Sequence, residues 1–403
     1  MIKLRKTIAM IMATSMLAVS LVGCSSSKSE SSNEKELTVW SHLTPAEVKK
    51  VNEVAQKWGE ENGVKVKVLE DKGDMQAYIQ AANSSKGPDI MFGLPHDNLG
   101  TFEKARLLAE VPEGVLNEDD YASKQLVDAV TLNGKQYGVP IAQETTTLFY
   151  NKDLVKEVPE TMEEVVKIGK EKGFIFDVAN FYPSYGFIAA NGGYVYKNND
   201  GTLDSTDIGL GNEGAIKGYQ FLQDLVVKDK LISVDMTGDI ASGEFMAGNA
   251  AFYISGPWDV KSFEDAGVNF GVAPLPTLNG NTIKSFMGVQ TAFVSANSKK
   301  QDLAWELTKY LSENTSDILL NEGNRIPVLK SVVDSEEFAK NEYMLQFAKQ
   351  AEVAEPMPNI PEVQAMWGPA GENIRLMMTN QLSPKECAEL TVKQIEEGIS
   401  QQK

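Results

Sequence analysis

Trp258, Trp367, Tyr182 and Tyr185, together with Asp97, Glu144 and Asn180, are the side chains whose types could do chemistry as a group. Indole and phenol rings present flat apolar faces, while carboxylates and amides hydrogen-bond in one plane around a rim. That mixture suits a ligand with apolar ring faces and many hydroxyls. The rival chemistry is glycoside hydrolysis, with Asp97 and Glu144 flanking one bond and an apolar pocket raising the pKa of one of them. Two carboxylates are weak evidence for it in a chain with 56 acidic residues. No GxSxG, Walker A or HExxH motif occurs, and no GxGxxG follows a strand. Binding without catalysis or cofactor is the reading the residue set favours. With two histidines, His42 and His96, and one cysteine left after processing, a transition-metal site is not expected.

Each of these side chains also has a plain structural alternative, set by the element that carries it. Trp367 lies in MPNIPEVQAMW, where Pro358 and Pro361 hold the chain extended and Pro361 or Glu362 opens a helix. Val363, Trp367, Ala370, Ile374 and Met377 recur at helical spacing, so Trp367 is on or beside a buried stripe. Asp97 follows the strand Asp89–Phe92, at the end of a strand where ligands of open α/β sheets gather, and could equally cap a helix over Leu99–Leu108. Glu144 interrupts the β-branched and aromatic run Ile141–Tyr150, which is long enough to pass between two domains. A charge there faces solvent at an edge or points into a cleft. Tyr182 and Tyr185 sit in a loop-to-helix stretch beside Asn180, as ligand contacts or as ordinary packing. Trp258 follows the strand Ala250–Ile254 and a Gly-Pro turn that aims it out of the sheet end.

The elements that must position these residues follow one another in a regular order. At 403 residues the chain is long enough for two domains. A strand Glu36–Trp40, a helix opened by Thr44, Pro45 and Glu47 and closed by Gly63, and a strand over Val64–Val68 begin the body. A helix through Met75–Ala82 precedes the strand at Asp89. Strand alternating with helix predicts parallel βαβ units. Asn133-Gly134 reads as a hairpin turn. The second half repeats the alternation from a second capping box, Thr161 and Glu164, to the strands Phe270–Ala273 and Met287–Val294. Amphipathic helices over Gln301–Leu311, Glu336–Ala351 and Cys387–Ile395 complete the chain, with Cys387 as a half-buried, inert thiol.

The first residues are a processing signal. Lys3, Arg5 and Lys6 precede an apolar run Thr7–Val22 and then LVGC, the ending of a bacterial lipoprotein leader with cleavage before Cys24. Residues 25–36, SSSKSESSNEKE, hold no apolar side chain and read as a tether. Losing the three basic residues with the leader takes the net charge from −18 to −21. So acidic a surface excludes nucleic acid as a partner.

GPDIMFG with HDNLG, LLAEV, NGK with VPIAQETTTLFYNKDL, IAANGGY, SGPWDV and MPNIPEVQAMW occur in this order. By these segments the mature chain resembles the maltose/maltodextrin-binding proteins, extracellular solute-binding subunits of ATP-driven sugar importers. The resemblance implies an α/β, two-lobed periplasmic-binding-protein-like fold. Each lobe would be a mostly parallel sheet flanked by helices, with the ligand cleft at the hinge. It implies lobes of residues 37–143 with 292–338 and of 144–291 with 339–403, hinged near Gln143, Thr291 and the helix Glu336–Tyr343. It further implies a lipid-anchored, extracytoplasmic monomer that delivers malto-oligosaccharide to a membrane permease. Asp97 and Glu144 would accept hydroxyl protons, and Tyr182, Trp258 and Trp367 would stack, with Tyr185 aligned to a further aromatic. The family pattern is also broken. Ser41, His42, Leu43 and Thr44 replace an Asp-Lys pair, and Gly93, Leu94 and Pro95 stand where a tryptophan is expected. Asn98 replaces an arginine, Asn180 an acidic residue and Gly371 an arginine. The resemblance thus implies a wider site that favours oligomers over disaccharide.

Overall fold

The computed structural model describes residues 35–402 except Asp74, Ser85 and Asp200. The expected leader, Cys24 and all but the last two residues of the expected tether lie outside the described residues. The body opens with β1 (Glu36–Ser41), α1 (Pro45–Asn62), β2 (Lys65–Glu70), α2 (Met75–Ala82) and β3 (Ile90–Pro95). β1 pairs in parallel with β2 and β3, as alternating strands and helices require. Thr44 and Glu47 form the expected reciprocal cap, with Glu47 N–H donating to Thr44 Oγ1 and Thr44 N–H to Glu47 Oε2. Gly63 ends α1 in the left-handed conformation, φ 64°. Val51, Ala55 and Trp58 face the core from α1.

α3 (Leu99–Lys104) is shorter than the helix expected over Leu99–Leu108, because Arg106 turns left-handed at φ 59°. Asp97 does not cap it. Asn98 holds the cap position, and neither side chain makes a capping bond. The expected Asn133-Gly134 hairpin is present, both residues having positive φ between the paired Thr131 and Gln136.

The run expected as one long strand is two. β4 (Val139–Thr145) pairs with the strand Phe286–Val294 in the first sheet, whereas β5 (Thr147–Asn151) is central to the second, and the chain breaks direction at Thr146. The second lobe continues with α4 (Met162–Lys172), β6 (Phe174–Ile175), α5 (Phe181–Ala189), α6 (Gly238–Met246), β7 (Phe252–Ser255) and β8 (Phe270–Ala273). β9 (Phe286–Val294) then returns to the first sheet, followed by α7 (Glu342–Ala351), β10 (Glu355–Pro356), α8 (Gln364–Met378) and α9 (Pro384–Gln401).

The two-lobed α/β architecture stands, but its second sheet is not mostly parallel. β5 runs antiparallel to β7 and β8, and only β6 and β7 are parallel. In the first sheet β9 is antiparallel to β3 and β4 and parallel to β10. The reason is the direction of entry. Strands built by βαβ units end at the cleft, whereas a strand arriving from the other lobe starts there and runs the opposite way. β5 and β9 are those strands. The first sheet also holds Glu144–Thr145, all of β9 and Glu355–Pro356, residues that the sequence reading divided between the lobes or gave to the second. The helix expected from Glu336 starts at Glu342, because Asn341 caps it by accepting from Met344 N–H.

Separate apolar cores sit in the two lobes. Val39, Val51, Phe92, Val289 and Trp305 belong to the first lobe's core. Phe174, Phe187, Tyr219, Ile374 and Cys387 belong to the second, where Cys387 is fully buried rather than half-buried. Phe149 on β5 centres a further aromatic cluster with Phe245, Tyr253, Phe263, Phe270 and Phe347.

Candidate functional site

β3 ends in a short 3-10 turn, His96–Asn98, and this turn carries the first-lobe side of the site. His96 is fully buried; its Nδ1 accepts from Val289 N–H at 3.0 Å and its Nε2–H donates to Met357 O at 2.8 Å. Burial pushes its pKa down to about 4, so the imidazole is neutral and its tautomer is fixed by these two bonds. Gly93, upstream on β3, has φ 90°, and a Cβ there would lie 2.4 Å from Leu43. A side chain at Gly93 would be strained by this φ and would have to displace Leu43.

Asp97 is 7% exposed, and burial pushes its pKa up to about 7; the Trp367 side chain donates to it, while the nearby Glu144 charge raises it further. Asn98 Nδ2 donates to Asp97 Oδ1 at 3.1 Å and to Pro95 O at 3.0 Å. Gln364 Nε2 reaches Asp97 O at 3.4 Å, so the start of α8 meets this turn.

Glu144 lies at the end of β4 and is held from two sides. Its Oε1 accepts from Gln290 Nε2 at 3.0 Å and its Oε2 from Arg325 Nη1 at 2.8 Å. Arg325 also donates to both Glu47 oxygens, at 2.7 Å through Nε and 3.2 Å through Nη2. Burial works against the Arg325 charge, yet Glu144 and Glu47 outweigh it and keep the guanidinium above its ordinary pKa. This Glu47–Arg325–Glu144 group escaped the sequence reading. Its one signal is a scarce residue, one of four arginines, in a Gly-Asn-Arg-Ile-Pro turn.

The second lobe supplies an aromatic wall. Tyr182 on α5 stacks at 6.0 Å on Phe286, which starts β9, and lies 6.4 Å from Trp258. Trp367 on α8 meets Phe286 edge-on at 5.8 Å and Phe181 at 6.2 Å. Tyr182 Oη donates to Glu144 O at 3.4 Å, and burial, then Glu144 and Asp97, raise its phenol well above the ordinary range. Trp258 is 46% exposed, so its face is open to a ring-shaped partner, whereas Trp367 is half-buried.

Asp97, Glu144, Tyr182, Trp258 and Trp367 are therefore linked to one another through these contacts. Tyr185 does not join them. It is 2% exposed, stacked 3.7 Å from Phe286 and hydrogen-bonded to Glu355, so the packing alternative holds. Asn180 caps α5, its Oδ1 accepting from Tyr182 N–H, and lines a cavity of about 430 Å³ beside Trp258. His42 is exposed and lines, with Asn98, Asp71 and Tyr78, a separate cavity of about 180 Å³ in the first lobe. Phe286, Gln290 and Arg325 are parts of the site that pattern reading missed, each reaching it from a distant segment.

An arrangement of stacking faces opposite buried acceptors, between two sheets joined by crossing strands, can grip a flat, hydroxylated molecule and release it by hinge motion. The comparisons point the same way. Residues 53–346 match the family model for bacterial extracellular solute-binding proteins. The galactooligosaccharide-binding protein of Bacillus subtilis (strain 168) is 34% identical over 410 residues, covering 96% of this chain and 95% of that protein. A maltooligosaccharide ABC transporter solute-binding lipoprotein of Streptococcus pneumoniae (strain ATCC BAA-255 / R6) is 30% identical over 423 residues, covering 99% and 98%. The X-ray structure of the maltose-maltodextrin binding protein of Alicyclobacillus acidocaldarius superposes with TM-score 0.85 at 39% identity, covering 90% of this chain and 100% of that chain. With the family model spanning most of the folded body and relatives aligned nearly end to end, this chain belongs to the bacterial extracellular solute-binding protein family.

Proposed function

We propose that this chain is the sugar-capturing subunit of an ATP-driven importer, that it takes malto-oligosaccharides between its lobes, and that it hands them unaltered to a membrane permease pair. The observation that carries this reading is the aromatic wall of Trp258, Tyr182, Phe286 and Trp367 beside the buried carboxyl of Asp97 and the half-buried one of Glu144. In the proposed complex the rings stack on sugar faces and the carboxylates accept hydroxyl protons. Closure of both lobes on the sugar presents the docking surface to the permease. A diacylated Cys24 holds the monomer at the outer face of the plasma membrane, in keeping with the lipoprotein among its relatives.

Glu144 is bonded once at each oxygen, by Gln290 and Arg325, which fixes its plane and leaves a second lone pair on each oxygen for a sugar hydroxyl. Incubation with oligosaccharide followed by chromatography returns the sugar intact; shortened products would overturn the non-enzymatic reading. A second sugar series has a specific observation behind it, the 34% identity to a galactooligosaccharide-binding protein. Titration of α-1,4-glucans against β-galacto-oligosaccharides, followed by tryptophan fluorescence, decides between them. Malto-oligosaccharides are expected to bind more tightly, and maltotriose or longer to bind more tightly than maltose. Tightest binding of the disaccharide contradicts the wider site, and loss of all signal contradicts sugar capture.

A further inference from the structure

The end of the first lobe farthest from the sugar site gathers lysines in a chain that is otherwise acidic. β1 runs parallel to β3, whose end leads into the His96–Asn98 turn, so Glu36 at the start of β1 lies at the other end of the sheet. Ser41 is level with Phe92, which puts Glu36 level with Gly87 and about 30 Å from His96, at about 3.3 Å per residue. Glu36 Oε1 pairs with Lys67 at 2.7 Å and its Oε2 with Lys65 at 3.5 Å. Lys300 Nζ donates to Glu36 O and pairs with Asp89 at 3.2 Å. Exposed Lys35 and Lys299 complete the group, lining with Lys300 a cavity of about 450 Å³. A second cavity of about 340 Å³, which reaches Ser84 and Asp89, shares Lys299 and Lys300 with the first.

Within this linked group five lysines stand against Glu36, Asp89 and Asp302, whereas in the whole chain 56 acidic residues outnumber 38 basic ones. The side chains of Lys65, Lys67 and Lys300 are 52%, 50% and 40% exposed, against 36% for Glu36 and 13% for Asp89. The ammonium groups therefore face outward more than the carboxylates that hold them. The covalent chain supplies an independent sign. Lys35 is eleven residues after Cys24, so a lipid on Cys24 keeps this end of the lobe within about 40 Å of the bilayer surface even with the intervening chain fully extended.

We propose that this lysine surface rests on anionic phospholipid headgroups, so that the sugar-free protein stands on the base of its first lobe with the cleft turned away from the bilayer. The inference rests on the lipid-anchored reading and goes beyond it. Lysines near an anionic membrane gain an attraction that fades within a Debye length, about 8 Å at physiological salt, and the anchor keeps returning them to that range. An otherwise acidic surface is repelled by the same headgroups, so this end approaches first.

The test uses the chain from Cys24 onward, coupled through the Cys24 thiol to a maleimide lipid; Cys387 is fully buried and is spared. The coupled protein is placed on vesicles of phosphatidylcholine alone or mixed with phosphatidylglycerol, and lysine acetylation rates are read by mass spectrometry. Lys65, Lys67, Lys299 and Lys300 are expected to react about threefold or more slowly on the anionic vesicles, an effect lost in about 1 M salt. Exposed Lys156 and Lys217 of the second lobe are expected to react alike on both. Lys35→Glu combined with Lys299→Glu is expected to abolish the difference at Lys65 and Lys67 without moving sugar affinity or the thermal midpoint. Equal rates on the two vesicles overturn the proposal and leave the anchor standing. Protection by soluble poly(glycerol phosphate) but not by the vesicles also overturns it, by giving the surface to a polyanion off the membrane. Incorporation of labelled palmitate by cells making the chain, lost in Cys24→Ala, tests the anchor itself; without it the anchored reading falls, and this proposal with it.

Discussion

Asp97 and Glu144 show how neighbouring carboxylates acquire different properties. Glu144 shares the Arg325 guanidinium with Glu47, whereas Asp97 is buried beside an indole and an amide with no cation in contact. The folded protein keeps a proton on Asp97 up to about pH 7, while the unfolded chain releases it near pH 4. Between those values the folded state binds more protons, so this group's contribution to stability falls as pH rises from about 4 to about 7 and is level above. Asp97→Asn is expected to remove that slope, read as thermal midpoints from pH 4 to 8 for both proteins; parallel curves would show that Asp97 ionises normally. Arg325→Gln leaves Glu47 and Glu144 buried without their cation and is expected to cost about 3–5 kcal/mol. Urea unfolding measures it, with Arg325→Lys recovering part of the loss. The open face of Trp258 was legible because a Gly-Pro turn announces a strand end. Tyr185, one helical turn beyond Tyr182, offered the same sequence signal and is core, since Phe286 from a distant strand covers it. Nothing local encodes that difference.

Elements bounded by local chemistry were the most readable. The α1 cap, its Gly63 stop and the Asn133-Gly134 turn are all set within a few residues, and all formed as their sequences indicate. Thr161 accepts from Glu164 N–H, but the reciprocal half of its expected box is absent, a reminder that the backbone bond alone suffices for a cap. Thr44→Ala is expected to cost about 1 kcal/mol in urea unfolding. Glu47→Gln should cost more than that, because the same carboxylate also holds Arg325. Element direction was not readable. The long run through Glu144 looked continuous because both halves are β-branched and aromatic, yet Thr146 divides it between two sheets. The antiparallel share of the second sheet follows from where β5 enters, a property of topology rather than of residue type.

At the scale of the molecule, each lobe takes its core largely from its own segments, but the first sheet is not finished by the first segment. β9 lies between β3 and β4, pairing Val294 with Ile90 and Ala292 with Val139. The strand that closes the middle of that sheet is therefore made about 200 residues after the one it joins. Translation thus reaches the second lobe while the first still lacks its central rung, and pairings so remote form slowly. A growing polypeptide of this kind stays unfinished through most of its synthesis. Ribosome-tethered chains cut before Phe286 are expected to remain protease-sensitive throughout, whereas chains carried beyond Pro356, with linker enough to clear the exit tunnel, should yield a protected first lobe. For the exported lipoprotein proposed above, late completion would keep the chain translocatable until it has crossed.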